Sequence, residues 1–151
     1  MLLTDKDACL VTIEKEKENF DDANKTYMEF EFFGRVLPIN ADANEIVPKF
    51  AAMKDKQLFD IIFLDCNKSS YVKLENDLVN LLSPGGVLVA DDCLYFGKVL
   101  DGTEMPEKKH RTIILNLRKF IDMVEKDERL ENITMYEIDN GVLTATRKDF
   151  E

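Results

Sequence analysis

The stretch FDIIFLDCNKSSY (residues 59–71), together with LLSPGGVLVADDCLYFGKV (residues 81–99), decides the fold. Asp60 to Leu64 is an almost wholly apolar run that ends in Asp65, the composition of a strand in a parallel sheet covered on both faces. Tyr71, Leu74, Leu78, Leu81 and Leu82 then recur at helical spacing, and Ser83-Pro84-Gly85-Gly86 stops that helix. Val87 to Ala90 is the next buried strand, ending in Asp91-Asp92. Strand, helix and strand in this order predict two adjacent parallel strands. Such neighbours would place the residues after their ends, Asp65 and Asp91, about 5 Å apart.

The same alternation extends in both directions. Upstream, Leu10 to Ile13 reads as a short buried strand closed by Glu14. Lys15 to Met28 is a charged helix with one narrow stripe of Phe20, Ala23 and Tyr27. Arg35 to Ile39 is a second strand with Asp42 after it, and Ile46, Val47 and Phe50 mark a short helix over residues 44–53. Its Pro48 is expected near the first turn, where a missing N–H costs least. Downstream, a polar loop from Gly97 to His110 leads into a helix with Ile113, Leu117, Phe120, Ile121 and Val124 on one side. Ile133 to Ile138 and Val142 to Arg147 alternate apolar and polar residues around Asp139-Asn140-Gly141, a strong hairpin signal. The pattern predicts one α/β domain over residues 1–151, an open, doubly wound, mostly parallel sheet finished by an antiparallel hairpin.

Composition bounds the function. The 151 residues carry 30 acidic and 20 basic side chains, a net charge of −10, with 45% hydrophobic and 33% charged residues. That is globular composition with a real core. A surface this acidic repels phosphate backbones, which argues against nucleic acid. The longest uncharged stretch, Leu78 to Ala90, is interrupted by a turn and falls short of the roughly 18 apolar residues of a membrane span. The start, MLLTDKDAC, has acidic residues where a signal peptide is positive, and Cys9, Cys66 and Cys93 have no metal-type spacing. A cytoplasmic protein with reduced thiols is expected.

In open α/β sheets ligands lie beyond the carboxyl ends of the strands. Four runs here end in acid: Glu14, Asp42, Asp65 and the Asp91-Asp92 pair. A single Asp after a strand is ordinarily a turn residue or a helix cap; repetition at consecutive strand ends points to a bound cation. Asp65, Asp91 and Asp92 suit a hard, oxygen-liking metal such as Mg²⁺. Lys68 has two readings, a solvated loop lysine or a base held beside that metal. Glu14 either opens a solvated helix or binds the cis-diol of a ribose. His110 reads as a surface residue of the polar loop, and Cys66 and Cys93 as packing residues.

The segments LVTIE (10–14), INADA (39–43), the two stretches quoted first and IDNGVLTATRK (138–148) together resemble the cation-dependent O-methyltransferases of the catechol and caffeoyl-CoA type, class I S-adenosylmethionine-dependent enzymes. The FLD-x-x-K-x-x-Y and PGG-x-L-x-x-D-D blocks are the most specific. The resemblance implies that Asp65, Asp91 and Asp92 hold Mg²⁺, or Mn²⁺ or Ca²⁺ in its place, and that Lys68 assists loss of the acceptor's hydroxyl proton. It implies that Glu14 binds the ribose of S-adenosylmethionine, Asp42 and Ala43 lie by its adenine, Asp65 and Tyr71 belong to the cofactor side, and Tyr95 forms part of an aromatic wall around a small catechol-like or phenolic acceptor.

Two features depart from that family. Asp92 stands where it usually has Asn. The family's first strand and its glycine-rich turn should precede LVTIE, yet no G-x-G cluster occurs, so two central edges are expected to lack their partner. A fragment, direct pairing of the flanking strands, and a second copy or complementing N-terminal segment all stay open, as does a noncatalytic remnant acting as a binding or dimerisation module. A phosphoacceptor signalling domain also gathers acids at strand ends, but its acidic pair precedes the lone Asp, the reverse of the order here.

Overall fold

A computed structural model describes residues 8–30, 34–100 and 108–149. The chain divides into two compact units, residues 1–46 and 47–151. In the first, β1 (Leu10–Glu14) and β2 (Val36–Asn40) pair in parallel, with Glu14 opposite Asn40, and are linked through α1 (Lys17–Glu29). Phe20, Ala23 and Tyr27 of α1 are half-buried and no residue of that helix is fully buried, as a narrow stripe implies. The next helix, α2 (Ala43–Ala52), starts here because Asp42 caps it: the Asp42 carbonyl accepts from the Glu45 and Ile46 amides, and its carboxylate from the Asn44 amide at 2.9 Å. The helix starts one residue earlier than expected, and Pro48 falls inside it as its sixth residue rather than near its first turn.

The second unit contains β3 (Phe59–Leu64), α3 (Lys68–Leu81), β4 (Leu82–Ala90), α4 (Lys108–Lys126), β5 (Leu130–Tyr136) and β6 (Val142–Arg147). Its sheet runs β3-β4-β6-β5, with β3 and β4 parallel and the remaining pairs antiparallel. This is the expected α/β arrangement closed by an antiparallel hairpin. Among the described residues of the chain the hydrogen-bonded strands form two sheets rather than one, β1 and β2 in one and β3 to β6 in the other. Tyr71, Leu74, Leu78 and Val79 of α3 and Ile114, Leu117, Phe120 and Val124 of α4 are buried with Leu88, Ala90, Leu143 and Ala145 of the sheet. The Tyr71 and Phe120 rings meet edge to face at 5.1 Å.

The Ser83–Gly86 segment does not separate helix from strand as a free turn. Helix α3 ends at Leu81, β4 begins at once, and Leu82 pairs with Phe59 while Val87 pairs with Ile61, so the segment bulges out opposite Asp60. Gly86 is required there, since a Cβ would lie 2.8 Å from the Ser83 carbonyl oxygen and 2.9 Å from that of Phe59. The hairpin's first strand also starts earlier than its alternation indicates, at Leu130, with a register shift before Thr134. Residues 1–7 and 101–107, the latter most of the polar loop, lie outside the described residues. Among the described residues no helix is long and apolar enough to cross a membrane.

Candidate active site

The parallel pairing of Leu64 with Ala90 brings Asp65 and Asp91 to neighbouring strand ends, and the Asp91 amide donates to the Leu64 carbonyl at 3.0 Å. Asn67 caps α3, its Oδ1 accepting from the Ser69 amide at 3.0 Å, so Lys68 is the first helical residue rather than a loop residue. Its side chain is 12% exposed, not solvated. Lys68 Nζ lies 2.7 Å from Tyr71 Oη, 3.2 Å from the Asp91 carbonyl oxygen and 3.3 Å from both Asp65 Oδ1 and Asp92 Oδ2. The ammonium also sits 4.7 Å from the centroid of the Tyr71 ring.

Tyr71 is wholly buried, and its hydroxyl donates toward the carbonyls of Leu64 at 2.8 Å and Asp91 at 3.0 Å. Burial holds its phenol far above the ordinary range, so it stays protonated. Tyr71 thus lies buried behind Lys68, its hydroxyl within hydrogen-bond reach of the ammonium. Asp91 turns Oδ1 to the Asp92 amide at 2.7 Å. Asp92 has φ +55°, a left-handed conformation that Asn and Asp tolerate better than other non-glycine residues, which gives this position a backbone reason for either side chain.

The carboxylates expected to hold a metal, Asp65, Asp91 and Asp92, carry hard oxygen donors, the chemistry a divalent cation needs. Asp65 and Asp92 both face the Lys68 ammonium and Asp91 faces a backbone amide. Among the described residues no three His, Cys, Asp or Glu side chains converge as a metal site. Lys68 is the cationic group that these strand ends share.

Beyond them the chain turns through Tyr95 (φ +44°) and Phe96 (φ +56°). His110 was expected in a polar surface loop; it lies in the first turn of α4, half-buried, with Nδ1 2.8 Å from Tyr95 Oη. No local pattern links residues 95 and 110, so only the fold reveals this pair. The three cysteines form no disulfide: Cys9 is exposed, Cys66 half-buried and Cys93 buried, with burial pushing the Cys93 thiol up to about 12 and the Cys66 thiol in the same direction. A thiol held protonated is a packing group.

The other expected cofactor residues lie in the first unit. Glu14 Oε1 accepts from the Glu16 amide at 2.7 Å, and the Glu14 carbonyl accepts from Asn40 Nδ2 at 2.8 Å, which ties the ends of β1 and β2 together. Asp42 pairs with Lys15 at 2.9 Å, and this ammonium, with the Asn44 amides, holds its carboxyl down to about 2. Ala43 follows as the first residue of α2.

A family model described as O-methyltransferase matches residues 2–148. The chain belongs to the O-methyltransferase family. It is 30% identical over 118 residues to caffeoyl-CoA O-methyltransferase 1 of Arabidopsis thaliana, covering 76% of this chain and 42% of the relative. It is 29% identical over 113 residues to the caffeoyl-CoA O-methyltransferase of Populus kitakamiensis, covering 72% and 46%. The chain thus spans less than half the length of the curated relatives it matches. Among solved structures, the O-methyltransferase TomG of Streptomyces achromogenes, in complex with S-adenosylmethionine, matches with TM-score 0.80 at 23% identity, over 96% of this chain and 64% of TomG. The S-adenosylhomocysteine-bound methyltransferase PaMTH1 of Podospora anserina matches with TM-score 0.79 at 22% identity, over 96% and 63%. Both share the fold.

Proposed function

We propose that the protein to which this chain belongs transfers the methyl group of S-adenosylmethionine to a small phenolic or catechol-like hydroxyl, and that Lys68 is the catalytic residue. The observation that supports this reading is the Lys68 ammonium, nearly buried at the carboxyl ends of β3 and β4 and held by Tyr71, Asp65, Asp92 and the Asp91 carbonyl. A fixed positive charge beside an acceptor oxygen stabilises the oxyanion formed when the hydroxyl proton passes to solvent water. That oxyanion attacks the sulfonium methyl in line: the new C–O bond forms as the C–S bond breaks, and S-adenosylhomocysteine departs with the electron pair. Tyr71 positions Lys68, and Tyr95, braced by His110, supplies an aromatic surface to the acceptor.

In the first unit, Glu14 at the end of β1 offers the ribose two acceptors, and Asp42 with Ala43 opens α2 beside the adenine. Divalent-metal dependence is the finer part of the proposal and rests on the oxygen chemistry of Asp65, Asp91 and Asp92; a bound metal would supply chelation and acidification of the acceptor. The decisive experiment measures methyl transfer to a catechol probe together with S-adenosylhomocysteine binding by calorimetry, in wild type and Lys68→Met. The expected outcome is a fall in kcat of about 100-fold or more with cofactor affinity nearly unchanged. Full activity in Lys68→Met would sink the assignment.

A further inference from the structure

Away from the strand ends, one carboxyl lacks the partner its burial demands. Glu75 of α3 is 4% exposed, and as an ionised acceptor its Oε1 is buried without a hydrogen-bond partner. It lines a shallow cleft of about 520 Å³ with Asp122, Met123 and Lys126 of α4, Asp127 and Glu128 of the turn that follows, and Arg129 leading into β5. Lys126 is engaged with Asp122 at 2.6 Å. Arg129 is engaged as well: its Nη2 lies 2.5 Å from Asp127 Oδ2, its Nε 2.9 Å from Oδ1, and its Nη1 donates to Asn80 Oδ1 of α3 at 2.8 Å. The Lys148 ammonium donates to the Glu128 carbonyl at 2.8 Å and so is turned to the backbone. Among the described residues no cation in the cleft is left for Glu75.

A buried carboxyl beside an arginine-bound carboxylate has one inexpensive solution, which is to keep its proton and donate it. We propose that Glu75 and Asp127 share one proton, a carboxyl–carboxylate latch that closes α3 on the α4–β5 turn and opens when that proton is lost. Arg129 fixes which partner is ionised: its guanidinium beside Asp127 holds that carboxyl below the usual range. Burial, with the hydrogen bond to Asp127, raises Glu75 from 4.5 to about 7. The two titrate as a pair. Losing the proton leaves two carboxylates in one cleft, with the guanidinium already bound to Asp127, and an unpaired buried oxygen on Glu75.

The sign follows from proton counting. Between 4.5 and about 7 the folded chain holds a proton on Glu75 that the unfolded chain has released, so stability is greatest below that interval and falls as the pH climbs through it. The folded-to-unfolded ratio loses up to about tenfold per pH unit from this group. Because Lys68 begins the same helix about two turns upstream, opening the latch loosens the helix that seats it. The latch itself does not depend on the methyl-transfer reading, since its readouts are stability and titration.

The test compares denaturant unfolding of the full chain with that of Glu75→Gln from pH 5 to about pH 8, the window set by the raised Glu75 carboxyl. Glutamine keeps the shape and a donor toward Asp127 but has no proton to lose. Wild type is expected to lose stability relative to Glu75→Gln by at least about tenfold in the folding ratio. A constant difference across the range overturns the proposal. Should Glu75→Gln fail to fold, the carbon-13 carboxyl titration of Glu75 in wild type decides: a midpoint near neutrality supports the latch, and one in the ordinary carboxyl range overturns it. In Asp127→Asn that midpoint moves down; an unmoved midpoint means burial alone holds the proton and refutes the sharing.

Discussion

Tyr71 illustrates how one residue can serve packing and chemistry together. Its ring is locked against Phe120 and its hydroxyl joins three groups, receiving from Lys68 while donating toward the carbonyls of Leu64 and Asp91. Tyr71→Phe keeps the ring and removes the hydroxyl, so the Leu64 carbonyl keeps only the Asp91 amide, the Asp91 carbonyl keeps the Lys68 ammonium, and the ammonium loses one acceptor. A loss of about 1–2 kcal/mol is expected in denaturant unfolding, with methyl transfer reduced less than in Lys68→Met because the ammonium keeps its carboxylate neighbours. At this scale the sequence was informative about identity and weak about environment. Acids at successive strand ends were visible as a pattern, but spacing alone favoured a solvated Lys68 and a surface His110. Tyr71 meets Lys68 across one turn of α3, which spacing could have suggested, whereas Tyr95 and His110 become neighbours only in the folded chain. Glu75, Asp127 and Arg129 carried no local signal, since their significance lies in burial.

The elements themselves were legible wherever a period repeats. Both strand types and the helices follow from apolar spacing, because periodicity records which face is buried. Boundaries were lost where a local hydrogen bond outweighs the pattern, as at the Asp42 cap that starts α2 one residue earlier, and where a bulge absorbs turn residues, as at Ser83–Gly86. The hairpin turn shows a further layer. Besides joining β5 to β6 it anchors the loop after β4, since the Cys93 amide donates to the Gly141 carbonyl at 2.8 Å and the Leu94 amide to the Asn140 carbonyl at 2.7 Å. Gly141 has φ +87°, and a Cβ there would lie 2.3 Å from Leu94 Cγ and 2.8 Å from the Leu94 backbone nitrogen. Gly141→Ala therefore combines backbone strain with a clash against main chain, an expected cost of about 3 kcal/mol. Gly34 is the internal control: its φ is +76° and a methyl group there would meet nothing within 4 Å, so Gly34→Ala is expected to cost only about 1 kcal/mol. Equal shifts in unfolding midpoint for the two would show that the Leu94 approach is not tight.

At the scale of the whole molecule, two properties oppose each other. The four-stranded sheet ends at β3, which has no hydrogen-bonded strand on its outer side among the described residues and exposes Ile61 (68%) and Phe63 (63%). An end strand with an unpaired backbone and large apolar side chains is a template for other strands. Against this, a net charge of −10 makes copies of the chain repel one another. The repulsion is long-ranged and screened by salt, with a Debye length of about 8 Å at physiological ionic strength, whereas strand pairing and apolar burial act at contact and salt leaves them in place. Raising the salt concentration should therefore increase self-association, measured by sedimentation velocity at fixed protein concentration. Phe63→Lys puts a charge on the strand without adding a cavity, because the side chain is already outside the core. It should suppress association at both low and high salt while leaving the unfolding midpoint nearly unchanged. Association that persists in Phe63→Lys would move the sticky surface away from β3, and association that weakens with salt would mean that charge attraction, not an open strand edge, draws the copies together.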